Sequence, residues 1–444
     1  MEYLLILLSI IFAYLIFTRK ENRFSWLYIA LIFSPGVINI VKKPTYVTDH
    51  DLYLLVVLYI TFFLSNLRKE WKQYPLKTIT ILLLINNICI TATSLTPLKI
   101  QHLIWYGAFE FIGSFLLVFL SFSMIKDNKP FDFLYKKMPI ITFLFTFITI
   151  FSYITKTNPY MDLVLSFSNI EYVWSNLNNM RGFRITGFHM SPNSAGLIYT
   201  LLSIFILGYT KRLSTKDFIL TICLLFCTFM TATRAAIICH VFALLLIYLL
   251  KFNLSKKIKI AFYVIISFIV IQPLLPNKLT NQLNDLTSAV TDIFITGGEE
   301  STGSSVELRE IQTTSALYYF TQHPYWGHGF NYHDVVHSGE EGSRDDLYGL
   351  EGYHLKLLVE EGGIQIVLVL FFLTLLFSKI LKNSKKMKDN YSIMMFTILT
   401  TYIIFLISSR PGDTWHYVMP MLGALLKIKI INFNKNETYI IYNR

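Results

Sequence analysis

Residues 351–379 read EGYHLKLLVEEGGIQIVLVLFFLTLLFSK. The first half carries Glu351, His354, Lys356, Glu360 and Glu361, and from Gly362 to Ser378 no charge follows. Such an uncharged run has the length of a membrane span. The charged half closes a hydrophilic island, Ser305–Gly363, that stands between long apolar stretches. Working outward, apolar runs recur along all 444 residues: 54% of the chain is hydrophobic and 15% is charged. A soluble chain carries about 25% charged residues. A soluble core could not hide this much Phe, Ile and Leu, and the strict alternation of an outer-membrane barrel is absent. The fold class is therefore all-α, a polytopic membrane protein of about 12–13 transmembrane helices.

Spans are expected at 2–17, 24–41, 52–66, 78–96, 104–125, 138–154, 194–210, 218–230, 235–250, 260–274, 362–380, 391–409 and 416–428. The first run has no basic residues before it and no small-residue cleavage site after it, so it reads as a span rather than a removed signal peptide. With the N-terminus outside, the seven inside segments carry 27 of the 39 Lys and Arg residues, as the positive-inside rule requires. That rule accounts for the net charge of +11 without nucleic acid. Four parts follow: N-terminal helices (1–154), a first outer loop with central helices (155–274), a large outer loop (275–361), and C-terminal helices with a short cytoplasmic tail (362–444). All four cysteines lie in apolar runs, which argues against a disulfide framework or a thiolate metal site. Only Glu110 and His240 fall well inside apolar runs, fewer buried charges than ion-coupled transporters carry.

The large loop is acidic, with Lys278, Arg309 and Arg344 its only Lys or Arg residues between 275 and 352. Leu279–Ile293 and Ser305–Gln322 have helical spacing, the second with Ser304 or Ser305 as N-cap. Arginines at outer surfaces, Arg181 and Arg184 before one span and Arg234 between two, suit either lipid headgroups or a bound phosphate. Arg309 precedes the turn His323-Pro324-Tyr325-Trp326-Gly327-His328-Gly329-Phe330, whose aromatic and imidazole groups suit a sugar-phosphate site or an ordinary structured turn. His333 and His337 have a metalloprotease-like spacing, but Asp334 stands in place of the usual glutamate and glycines flank the pair. Glu351, Tyr353 and His354 sit at the lip of the following span, with Glu351–Lys356, or His354 with Glu360 and Glu361, as candidate pairs.

Taken in order, these residues resemble the O-antigen polymerase and O-antigen ligase family of bacterial membrane glycosyltransferases. The likeness rests on Arg184-x-x-Gly187, Pro192-Asn193-x-Ala195, Thr233-Arg234-Ala235, Arg309, the His323–Phe330 turn, and Leu355-x-x-Leu358-x-Glu360-x-Gly362. It implies a class-C glycosyltransferase-like fold in the bacterial inner membrane with active loops on the outer face. Its donor would be an undecaprenyl-diphosphate-linked oligosaccharide, with membrane lipid around it and a chain-length regulator protein as a further candidate partner. It implies no cofactor and no metal. Arg181, Arg184, Arg234 and Arg309 would hold the diphosphate. Glu351, His354 or His323 would serve as base, and Tyr325, Trp326, His328 and Tyr353 would contact acceptor or sugar. Ligases of the family carry His-Asn where Glu351-Gly352 stands here. The expected activity is thus polymerisation of O-antigen, capsule or exopolysaccharide repeats, with ligation to lipid A-core and glycan flipping as alternatives.

Overall fold

A computed structural model describes residues 2–34, 36, 48–64, 67–165, 185–189, 191–210, 214–251, 305–336, 350, 352–381, 390–408 and 414–442. The tenth expected span, the helix expected over 279–293, Arg181, Arg184, His337 and Glu351 lie outside them, as does the side chain of Arg309. Each of the other expected spans overlaps a helix, although in the span expected at 24–41 the helix ends at Phe33 and in that expected at 78–96 it ends at Thr93. The chain is an all-α polytopic membrane protein.

In order, α1 is Glu2–Thr18 and α2 is Arg23–Phe33. Helix α3, Asp49–Tyr59, runs into a π-helical stretch, Ile60–Leu64. Short α4, Leu67–Gln73, precedes α5, Lys77–Thr93. Helix α6, Ile100–Phe111, passes through a π-turn, Ile112–Leu116, into α7, Leu117–Met124. Helices α8, Lys129–Thr155, and α9, Pro159–Leu165, follow. The centre is formed by α10, Pro192–Tyr209, α11, Thr215–Met230, and α12, Arg234–Lys251. The island supplies α13, Ser305–Gln322, α14, Tyr332–Val336, and α15, Tyr353–Lys356, which continues as a π-turn over Leu357–Glu361. The chain ends with α16, Gly362–Leu381, α17, Asn390–Ser408, and α18, Trp415–Tyr442. Six helices among the described residues have the length and hydropathy to cross a membrane, or seven if the bent pair Asp49–Leu64 and Leu67–Gln73 counts as one span.

The helix starts follow local chemistry. Ser191 caps α10 through the Asn193 N–H (3.2 Å), and Pro192 occupies the first helical position, where its missing N–H costs nothing. Ser214 and Asp217 form a capping box on α11, and Thr48 and Asp51 form one on α3.

The bundle is apolar outside as well as inside. On α8, Ile140, Phe143, Leu144, Phe147, Ile150, Phe151 and Ile154 are exposed at helical spacing. Exposing such side chains to water would cost about 1.5–3 kcal/mol each, so this stripe is a lipid face. Core helix α10 is buried on nearly every side, packed against α11, α12 and α17. Small residues allow that approach. A Cβ on Gly196 would lie 2.4 Å from the Ala236 Cβ, and one on Gly423 would lie 2.2 Å from the Val118 carbonyl oxygen, where α18 meets α7.

Because the obstruction at Gly423 is backbone, Gly423→Ala has no side chain to push aside. We expect a loss of about 1–3 kcal/mol, read as a lower midpoint when purified protein is heated and the folded fraction is measured by size-exclusion chromatography. An unchanged midpoint would contradict the close α18–α7 packing.

Candidate active site at a broken membrane helix

The span expected at 362–380 begins earlier than its hydropathy suggests. The helical path starts at Tyr353, winds as a π-turn through Leu357–Glu361, and breaks at Gly362, where φ is +74°. In an unbroken α-helix, the Val359 and Glu360 carbonyls would accept the Gly363 and Ile364 N–H groups. Here Val359 O instead accepts the His328 N–H (2.9 Å), and Glu360 O accepts the Gly329 N–H (2.9 Å). The freed Gly363 N–H donates to Pro324 O (2.8 Å), and the Ile364 N–H donates to Tyr325 O (3.3 Å). The His323–Phe330 turn is thus inserted into the break, and it satisfies the groups that the break exposes.

Three glycines make this insertion sterically possible. Gly327 (φ +64°) would place a Cβ 2.4 Å from the Glu360 carbonyl carbon. Gly362 would place one 2.4 Å from Tyr325 O, and Gly329 (φ +103°) one 1.9 Å from the Ser94 Oγ. The turn is held from the far side too. Leu95 N–H donates to His328 O (2.8 Å), and Thr96 Oγ1 donates to Phe330 O (3.0 Å). The α5–α6 connection therefore closes over the turn.

Charge gathers under the turn. Glu360 and Glu361 are fully buried. His333, on α14, pairs through Nδ1 with Glu360 Oε1. Lys356 Nζ stands 3.8 Å from Glu360 Oε2 and 3.9 Å from Glu110 Oε1, linking the π-turn to α6. Glu361 faces Lys356, Glu110 and Glu360, with Gln365 beside it, and Gln365 Oε1 in turn accepts from Asn86 Nδ2 (2.9 Å). His333 and Lys356 offset the desolvation of Glu360, whereas Glu361 has two further carboxylates beside its cation, Lys356.

The sequence reading differs from this in several places. Of the pairs it offered, Glu351–Lys356 involves a residue outside those described, and His354 with Glu360 and Glu361 is not the pairing found. The structure pairs Lys356 with Glu360 and Glu110, and His333 rather than His354 with Glu360. His333 is paired with this carboxylate, and His337, its partner in the metalloprotease-like spacing, lies outside the described residues. Glu360 and Glu361 are enclosed by the bundle, whereas Glu110, expected well inside a span, is partly exposed. The i,i+4 spacing of Lys356 and Glu360 was the available signal. The link from Glu110 or His333 to the pair, across long chain separations, had none.

The expected contact residues fall into two sets. His354, His323, Tyr325 and Trp326 are exposed. His328 and Tyr353 are buried: the His328 ring lies 4.5 Å from Tyr332 and 4.6 Å from His323, and Tyr353 lies 5.2 Å from Trp415. Arg234 is exposed at the first position of α12. Burial pushes the His328 imidazole below the usual histidine range, an effect opposed by the Val359 carbonyl at 3.1 Å and aided by His323.

The class defined here is a polytopic helical membrane protein with a polar island locked onto the lip of a broken span. Residues 219–364 match the family model described as O-antigen ligase, about a third of the chain, ending just past the Gly362 break. This match supports the O-antigen polymerase and ligase family, whose members are membrane glycosyltransferase-like enzymes. No curated protein matches the chain.

Three outcomes test this geometry. Gly327→Ala should free the turn, since the positive φ alone costs about 1–2 kcal/mol; hydrogen exchange should show lost protection at the 328, 329 and 363 amides. Lys356→Met leaves buried carboxylates without their cation. We expect about 3–5 kcal/mol of destabilisation, largely recovered in a Lys356→Met/Glu360→Gln double variant, as a thermal-shift mutant cycle would read. His328 gives a pH effect of defined sign. Released from the turn it titrates near about 6.5, and docked it titrates lower. Docking is therefore fully stable above that value and weakens as pH falls through the docked pKa. Amide protection in the turn should drop on acidification, and His328→Gln should flatten the profile.

Proposed function

We propose that this chain is a polysaccharide polymerase of the bacterial inner membrane, building O-antigen, capsule or exopolysaccharide. It would transfer a growing glycan from undecaprenyl diphosphate to a lipid-linked repeat unit on the outer face. The observation that carries the reading is the family match over 219–364, which takes in Arg234, Arg309 and the docked turn. Within that stretch, Glu351-Gly352 stands where ligases of the resembled family carry His-Asn, which favours polymerisation. The printed family description, O-antigen ligase, is what favours the second reading, transfer to lipid A-core.

In this proposal a hydroxyl of the acceptor sugar attacks the anomeric carbon of the donor. The bond from that carbon to the diphosphate oxygen breaks, and the diphosphate leaves with the electron pair. Arg181, Arg184, Arg234 and Arg309 would neutralise the charge that grows on it. Glu351, His354 or His323 would take the hydroxyl proton. The diphosphate is itself the leaving group, so no nucleophilic side chain is needed.

Purified protein given lipid-linked repeats alone, without lipid A-core, should make long chains. Transfer of the glycan to added lipid A-core, with no chain growth from the repeats alone, would establish the ligase reading. Arg234→Ala and Arg309→Ala should lower elongation by roughly 10²–10³-fold while the protein remains inserted, leaving single-repeat products on a glycan gel. Normal chain lengths in both variants would remove the phosphate role.

A further inference from the structure

We propose that Tyr325 and Trp326 are a membrane-interface anchor, and that their partner is the headgroup region of the bilayer rather than a sugar. The proposal stands on the placement of the turn and is independent of glycosyl transfer. The Pro324 and Tyr325 carbonyls bind the N–H groups of Gly363 and Ile364, the first residues of α16. The outward face of α16 is apolar immediately beyond: Val367 is 65% exposed, Leu370 59% and Phe371 50%. A surface of that kind rests in hydrocarbon. With a rise of 1.5 Å per residue, Val367 lies only about 4.5 Å along the axis from Ile364. The backbone that carries Tyr325 and Trp326 is therefore fixed at the level where the lipid face begins.

Both rings point outward at that level. Tyr325 is 66% exposed and Trp326 is 36% exposed, with ring centroids 6.2 Å apart. Trp and Tyr concentrate at this depth because an apolar ring body and a single polar group suit the boundary between headgroup and chain. Leu317 and Tyr318 on α13 are exposed as well, as is Leu95 in the α5–α6 connection, whose N–H is bonded to the same turn. The anchor has a structural result. Since Gly329 and His328 are bonded to Glu360 and Val359, holding the rings at the interface fixes the depth of the Glu360, His333 and Lys356 cluster.

The test uses full-length protein in phosphatidylcholine vesicles whose acyl chains are brominated either near the headgroup or near the bilayer centre. The chain has six tryptophans, so the emission of Trp326 is taken as the difference between wild type and Trp326→Phe, with Trp326→Tyr as a second subtraction should the Phe variant fail to insert. Shallow bromines should quench this difference most, deep bromines less, and aqueous iodide least. Quenching by iodide with none by brominated lipid would overturn the anchor. So would iodide protection appearing only when lipid-linked glycan is added, because that would make the rings a sugar surface.

Discussion

The arrangement depends on an exchange of backbone hydrogen bonds at one helix break. Two intrahelical bonds, from Val359 to Gly363 and from Glu360 to Ile364, are replaced by four bonds to the His323–Phe330 turn. Each is worth about 0.5–1.5 kcal/mol net, but an unpaired buried group costs more than a made bond returns. Turn and break are therefore mutually required. Without the turn, the π-turn would leave carbonyls bare beside hydrocarbon. Without the break, the turn would have nothing to bind. Gly327 and Gly362 decide whether the two can approach, since each would place its missing Cβ against the other's backbone.

That docking explains why charges can lie so deep. Glu360 is fully buried but sits between His333, brought by the short helix after the turn, and Lys356, one helical turn back. Lys356 also reaches Glu110 on α6. Three chain segments thus contribute to one compensated cluster, and its compensation is a property of the assembled fold. Its chemistry is positional: it holds the island against the bundle, while the exposed His323 and His354 stand outside it.

Much of this was legible in the chain. Apolar run length pointed to the helical bundle, because the hydrocarbon core fixes span length. Pro324, Gly327 and Gly329 marked irregular backbone in the turn, while Gly362 read only as the entry to a span. Their mutual fit was not legible, because a hydrogen bond between residues 328 and 359 leaves no periodic trace. The lip of the eleventh span was misplaced for a related reason. Hydropathy counts Glu360 and Glu361 as surface residues, and it cannot register the partners that let them enter the bundle. The pairing of His333 with Glu360 was hidden in the same way, because 27 positions separate the two in the chain.

The hydrogen bonds from Leu95 and Thr96 to the turn bear on modularity. The matched segment, 219–364, carries the recognisable residues, yet its docked turn is closed by a connection more than a hundred positions earlier in the chain. The segment is therefore not a transplantable cassette. Moved onto another helical scaffold, it would keep its glycines and its acids but lose the far wall of its turn. Change in the N-terminal helices, which bear no motif of their own, is constrained wherever the α5–α6 connection must meet that turn in register.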